Sequence, residues 1–168
     1  MKRILVTGMS GVGKSTVIAE LAERGYKAVD ADSDEYSEWV SISDPGALPG
    51  SSPEEPGKDW VWREDRIQAL LDTEDSDVLF LGGCAENMRK FLPRFDHIVL
   101  LSAPTEVIVE RLRTRTNNPY GKRPGEAARA LDLIETVEPL LRRVAGHEID
   151  TSAPLDDVVA TVRLLAWS

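Results

Sequence analysis

The 168-residue chain has one cysteine, Cys84, and two histidines, His97 and His147. A lone cysteine forms no internal disulfide, which excludes a disulfide-stapled scaffold and fits a reducing cytoplasm. No basic pair lies near Cys84, so it reads as a small buried hydrophobe and not as a nucleophile. His97 and His147 are too separated for a metal site by spacing alone and read as structural. Positive charge is also short. Twenty Lys and Arg face 29 Asp and Glu, giving a net charge of −9 and a pI near 4.8. Such a chain repels nucleic-acid backbones unless its basic residues cluster, so no nucleic-acid polymer is expected as a partner. No apolar run is long enough to cross a membrane, and the N-terminus runs into a strand-like segment with no secretion signal before it. The expectation is a cytoplasmic protein off the membrane. The length suits one α/β domain, 1–168, with a real core.

What is present is an alternation. Apolar runs near 2–7, 27–30, 77–82, 97–101 and 147–150 predict strands. Amphipathic segments near 14–24, 62–72, 86–92, 104–115, 125–144 and 154–166 predict helices. Alternation of this kind gives a parallel sheet covered on both faces. Pro139 predicts a kink or break inside 125–144. Two stretches fall outside the pattern. "SISDPGALPGSSPEEPGKD", 41–59, is rich in Pro, Gly, Ser and acids and reads as a loop. "TNNPYGKRPGE", 116–126, is turn-rich and basic. Both are candidates for mobile segments that close over ligands.

The most specific signal is "GMSGVGKST", residues 8–16, directly after "KRILVT". It satisfies G-x-x-x-x-G-K-[ST] with Gly8, Gly13, Lys14 and Ser15, in the required strand–loop–helix context. Glycines let the backbone curl so that N–H groups point at phosphate oxygens, and the following helix adds its positive end. Ser10, Gly11, Val12 and Thr16 complete the cradle. Lys14 is expected on the β- and γ-phosphates and Ser15 on Mg²⁺. The ligand this implies is a nucleotide. Basic residues gathered at 111–123 fit the same ligand.

A phosphoryl-transfer site needs further acid. The strand "DVLFLGGC" ends in Gly82-Gly83-Cys84 with no acid to close it. "AVDADSDEY" supplies Asp30 and Asp32, which share a face if the strand continues past Asp30. The two are expected to split two jobs, one near the metal and one as base for an acceptor hydroxyl, and the reading adopted gives Asp30 the first and Asp32 the second. Asp34 and Glu35 read as solvated or as helix N-terminal charges.

In these motifs the chain resembles the small P-loop kinases, namely shikimate kinase and the nucleoside monophosphate kinases, among them adenylate kinase. "VDAD" looks like the "DSD" turn of shikimate kinase, and "LFLGGC" occupies the place of its glycine-rich strand end, which touches substrate. "EVIVERLRTR" looks like the helix entering the adenylate kinase lid. The resemblance implies a three-layer P-loop fold, α/β, with a five-stranded parallel sheet ordered 2-3-1-4-5. It implies Arg111 stacked on adenine, Arg115 on phosphate, Lys122 and Arg123 in a short lid, and an adenine-framing turn "DTSAP" with Thr151 and Pro154. It places Gly82, Gly83 and Arg63, in "VWRED", beside the acceptor. Asn87, Arg89 and Lys90 follow the glycines, where an acceptor's polar groups would be read. The departures are as informative. Shikimate kinase carries an arginine shortly before its "PLY" segment, and here "TVEPLL" offers only Val137 or Glu138. Trp39, Trp60 and Trp62 stand near the acceptor segments, either to stack on a flat or sugar-like substrate or as packing.

The reading is ATP- and Mg²⁺-dependent phosphoryl transfer to an unidentified small hydroxylated acceptor, by a monomer or weak homodimer, with Lys14, Asp32, Arg115 and Arg123 as the catalytic set. A nucleoside or nucleotide kinase, and an ATP-binding regulatory protein with slow hydrolysis, are the alternatives.

Overall fold

A computed structural model describes residues 1–9, 11–41, 58–114 and 125–167. Ser10, Arg115, Lys122 and Arg123 lie outside the described residues, as does most of 41–59 and 116–126. Five parallel strands form the sheet: β1 (Lys2–Thr7), β2 (Lys27–Asp30), β5 (Val78–Gly82), β6 (His97–Ser102) and β7 (His147–Asp150). Their spatial order is β2-β5-β1-β6-β7, which is 2-3-1-4-5 among the parallel strands and matches the expected order. The centre is apolar because its strands are covered on both faces. Ile4, Leu5 and Val6 of β1 and Leu79, Phe80 and Leu81 of β5 are fully buried. Each such side chain contributes roughly 1.5–3 kcal/mol by leaving water.

The first helix, α1 (Lys14–Glu23), begins at Gly13, whose φ of 100° is open to glycine at little cost. Val17, Ile18 and Leu21 bury one face of it. No acidic residue sits in its first turn, so its positive end stays available to an anion. It closes at Gly25, φ 91°, with the Gly25 N–H donating to Ala22 O and the Tyr26 N–H to Leu21 O.

The chain between β2 and β5 differs from expectation. An antiparallel hairpin, β3 (Ser37–Ser41) and β4 (Lys58–Trp62), flanks the loop and forms a second, two-stranded sheet. Trp62, expected to open a helix, instead ends β4, and α2 (Glu64–Leu71) starts two residues later. The short β-branched and aromatic run "WVW" is a strand signal that the turn-rich neighbourhood masked. Residues 86–94 form a 3-10 helix with Pro93 inside it, not the expected α-helix. Beyond α3 (Thr105–Thr114), the break predicted at Pro139 is present. Helix α4 (Glu126–Thr136) stops, and α5 (Glu138–Val144) restarts with Pro139 in its first turn. Helix α6 (Leu155–Leu165) buries Val158, Val159 and Val162. Among the described residues no helix is long and apolar enough to cross a membrane.

Candidate active site

The phosphate loop joins β1 to α1 at the carboxyl end of the sheet, where open parallel sheets bind ligands. Backbone shape dictates its glycines. A Cβ on Gly8 would meet Leu101 O at 2.5 Å, and one on Gly11, φ 88°, would meet Ile108 Cγ2 at 2.9 Å. The Lys14 ammonium donates to Gly8 O at 2.6 Å and Met9 O at 3.1 Å. It is held by neutral carbonyls, so its charge is not cancelled. Arg111 is tied to the same loop from α3. Its Nη1 donates to Val12 O at 3.2 Å and to Thr151 Oγ1 at 2.9 Å, and its Nη2 donates to Thr151 O at 2.6 Å. Thr151 is buried and donates its hydroxyl to Val12 O at 2.6 Å. Arg111 and the turn after β7 therefore brace the loop. Pro154 caps the start of α6, its carbonyl accepting from Asp157 and Val158 N–H.

A cavity of about 350 Å³ opens over this loop. Gly11 to Val17, Arg111, Thr151, Ala153, Leu155 and Asp32 line it. Two acids approach from the end of β2. The Asp30 Oδ2 accepts from Ser15 Oγ at 2.8 Å. Burial pushes the Asp30 carboxyl above its ordinary range, against the Ser15 hydroxyl and the Asp32 N–H, which favour the charge. Ser15 and Asp30 are oxygen donors of the kind Mg²⁺ takes, and they present only two such atoms. A cation held there would draw its remaining partners from phosphates and water, as a nucleotide-bound Mg²⁺ does. Among the described residues no three His, Cys, Asp or Glu gather as a self-contained metal site.

Asp30 and Asp32 do not share a strand face. The strand ends at Asp30, and the Asp32 N–H turns back to donate to Asp30 Oδ1 at 2.9 Å. The turn still brings Asp32 to the cavity wall. There its Oδ1 accepts from the Trp60 indole N–H at 2.5 Å. Sequence reasoning missed this link, because its two ends are 28 residues apart on either side of a turn-rich segment.

Other expected site residues have structural neighbours. Gly82 is packed, since a Cβ would meet Ile18 Cγ1 at 2.5 Å, and Gly83 lies against Trp62 and Ala31. Arg63 is engaged by Glu38 Oε2 at 2.9 Å and Asp34 O at 3.1 Å, away from the tryptophan face of the hairpin. Asn87 bonds both backbone polar groups of Trp62. Lys90 pairs with Glu64 at 3.0 Å, and Arg89 stands 3.8 Å from Glu86 with 69% of its side chain exposed. Trp62 is core, against Phe91. Cys84 is buried. His97 and His147 form an edge-to-face ring pair on neighbouring strands. Glu138, where the resemblance calls for an arginine, is buried and accepts from Arg142 at 3.0 Å.

Known proteins bear on this geometry. A family model described as "AAA domain" matches residues 4–132. The chain belongs to that P-loop family. A shikimate kinase of Halorhodospira halophila is 32% identical over 89% of this chain and 84% of its own. An adenylate kinase of Bifidobacterium longum is 30% identical over 97% of this chain and 88% of its own. Among solved structures, a shikimate kinase from Acinetobacter baumannii in complex with shikimate superposes with a TM-score of 0.65. It is 24% identical and covers 98% of this chain and 92% of its own, a likeness of fold. The chain is thus a P-loop protein related, at low identity, to small-molecule kinases.

Proposed function

We propose that the protein transfers the γ-phosphoryl group of ATP to a hydroxyl of a small molecule. One observation carries this reading: Asp32 lines the same cavity as Lys14 and Ser15, so a candidate base and a phosphate cradle share one wall. Lys14, freed from two carbonyls, pairs with the phosphates. The loop N–H groups and the start of α1 hold them in place, and Arg111 keeps the loop shaped around them. Thr151 and Pro154 frame the base of the nucleotide. Ser15 and Asp30 hold Mg²⁺, whose chemistry is to offset phosphate charge. Asp32 orients the acceptor hydroxyl through Oδ2, since Oδ1 is taken by Trp60, and receives its proton. Arg115 and Arg123 are proposed to offset charge on the moving group, and Arg89 and Gly83 to border the acceptor. Positioning and electrostatics supply most of such catalysis.

The test is ADP formation with and without small hydroxylated compounds, wild type beside Lys14→Ala. Acceptor-stimulated turnover that vanishes in Lys14→Ala is the expected result. Equal turnover in the two proteins contradicts the proposal.

A further inference from the structure

Strand alternation divides the hairpin into two faces. Ser37 pairs with Trp62 and Trp39 with Trp60, so these four share one face. Ser37 and Trp62 are buried, which turns that face toward the core. Trp39 and Trp60 are only half-buried, with ring centroids 4.9 Å apart and planes inclined at 56°. The Trp60 indole N–H reaches Asp32, so the pair adjoins the cavity wall. Glu38 and Val61 pair on the opposite face. Arg63 continues it, and its guanidinium meets Glu38 there.

Among the described side chains, the wall from Asp32 to the tryptophans carries one negative charge and aromatic rings. Among the described residues on this side, Arg63 and Lys90 have their charges offset by Glu38 and Glu64. A carboxylated or phosphorylated acceptor on this wall would face the Asp32 carboxylate, which repels it. A neutral ring would lay its C–H bonds or its base on the indoles and turn a hydroxyl to Asp32.

We propose that the Trp39–Trp60 pair is the acceptor subsite and that it selects an uncharged, hydroxyl-bearing ring, a neutral sugar or nucleoside. This rests on the kinase reading above. In the step, the acceptor oxygen bonds to the γ-phosphorus as its bond to the β–γ bridging oxygen breaks. The bridging electron pair leaves with ADP, and the hydroxyl proton passes to Asp32. Trp60 acts as a positioning residue, because its N–H fixes which carboxylate oxygen is turned to the hydroxyl.

The experiment compares ADP formation with glucose, ribose and adenosine against shikimate, gluconate and AMP. Wild type, Trp39→Ala, Trp39→Phe and Trp60→Phe are used, with ATP affinity measured in each as a control for folding. A neutral compound should be the best acceptor. Trp39→Ala should raise its KM about tenfold, roughly what one stacking surface contributes, and Trp39→Phe should restore most of it. Trp60→Phe keeps a ring but loses the N–H, so kcat should fall about tenfold while the acceptor KM and the ATP Kd stay near wild type. Glucose or ribose as the best substrate would mark the site as a sugar site, adenosine as a nucleoside site. Preference for a charged acceptor, or an unchanged KM in Trp39→Ala, overturns this subsite while acceptor-stimulated turnover leaves the kinase reading standing. No stimulation by either class overturns both.

Discussion

The phosphate-loop side and the hairpin side of the chain treat positive charge differently. On the phosphate-loop side, Lys14 and Arg111 are held by backbone carbonyls and the Thr151 hydroxyl, all neutral. On the hairpin side, Arg63 and Lys90 are paired with Glu38 and Glu64. A carbonyl positions a cation and leaves its charge for a ligand, whereas a carboxylate cancels it at medium range. The first arrangement suits a polyanion and the second an uncharged molecule.

Removing the donor-side charge should have the largest effect. Lys14→Ala is expected to lower kcat/KM by about 100-fold or more, the usual scale for losing one charge-stabilising donor, and to weaken ATP binding in a direct titration. Asp30→Asn should come next. Its carboxyl is held above the ordinary range by burial, so the fold carries a cost that appears as pH rises through the folded pKa and the group ionises. Without nucleotide the variant should therefore match or exceed the wild-type Tm at pH 7, and its advantage should fade as pH falls below the carboxylate range. Its Mg²⁺-dependent ATP affinity should drop about tenfold. A lower Tm at pH 7 would contradict the assigned cause.

Gly82→Ala probes the floor between the two sides. The added methyl meets Ile18 of α1, and the expected loss is about 1–3 kcal/mol in urea denaturation. The smallest effect is expected far from both sides. Glu74 accepts from the N-terminal ammonium and from Arg3, which hold its carboxyl down to about 2. Glu74→Gln should be slightly less stable than wild type above about pH 4.5, and the difference should close as pH falls toward 2.

The same division explains what could be read from sequence. The loop, its lysine and serine, the five parallel strands and the break at Pro139 are encoded by contiguous residues, where a turn, a cap or an apolar run has a local cause. Asp30 beside Ser15 followed from the rule that ligands sit beyond strand ends. The hairpin did not follow, because its strands are short and border a segment rich in Pro and Gly. With the hairpin unseen, neither the Trp60–Asp32 bond nor the Arg63–Glu38 pair was legible, since the hairpin is what carries Trp60 and Arg63 back to these acids. The lost strand face for Asp30 and Asp32 has the same origin: "VDAD" alternates, but the Asp30 side chain captures the Asp32 N–H and turns the chain.

The central claim is that one cavity joins a phosphate cradle to an acceptor base, and Asp32→Asn tests it most directly. ATP affinity and acceptor-dependent ADP formation are measured in wild type and variant under the same Mg²⁺ concentration. The account predicts acceptor-dependent turnover reduced by about 100-fold or more, with the ATP Kd unchanged within about twofold, because Asp32 serves the acceptor and not the cradle. Equal slow ADP formation with and without acceptor in both proteins would contradict it and mark an ATP-binding regulator instead.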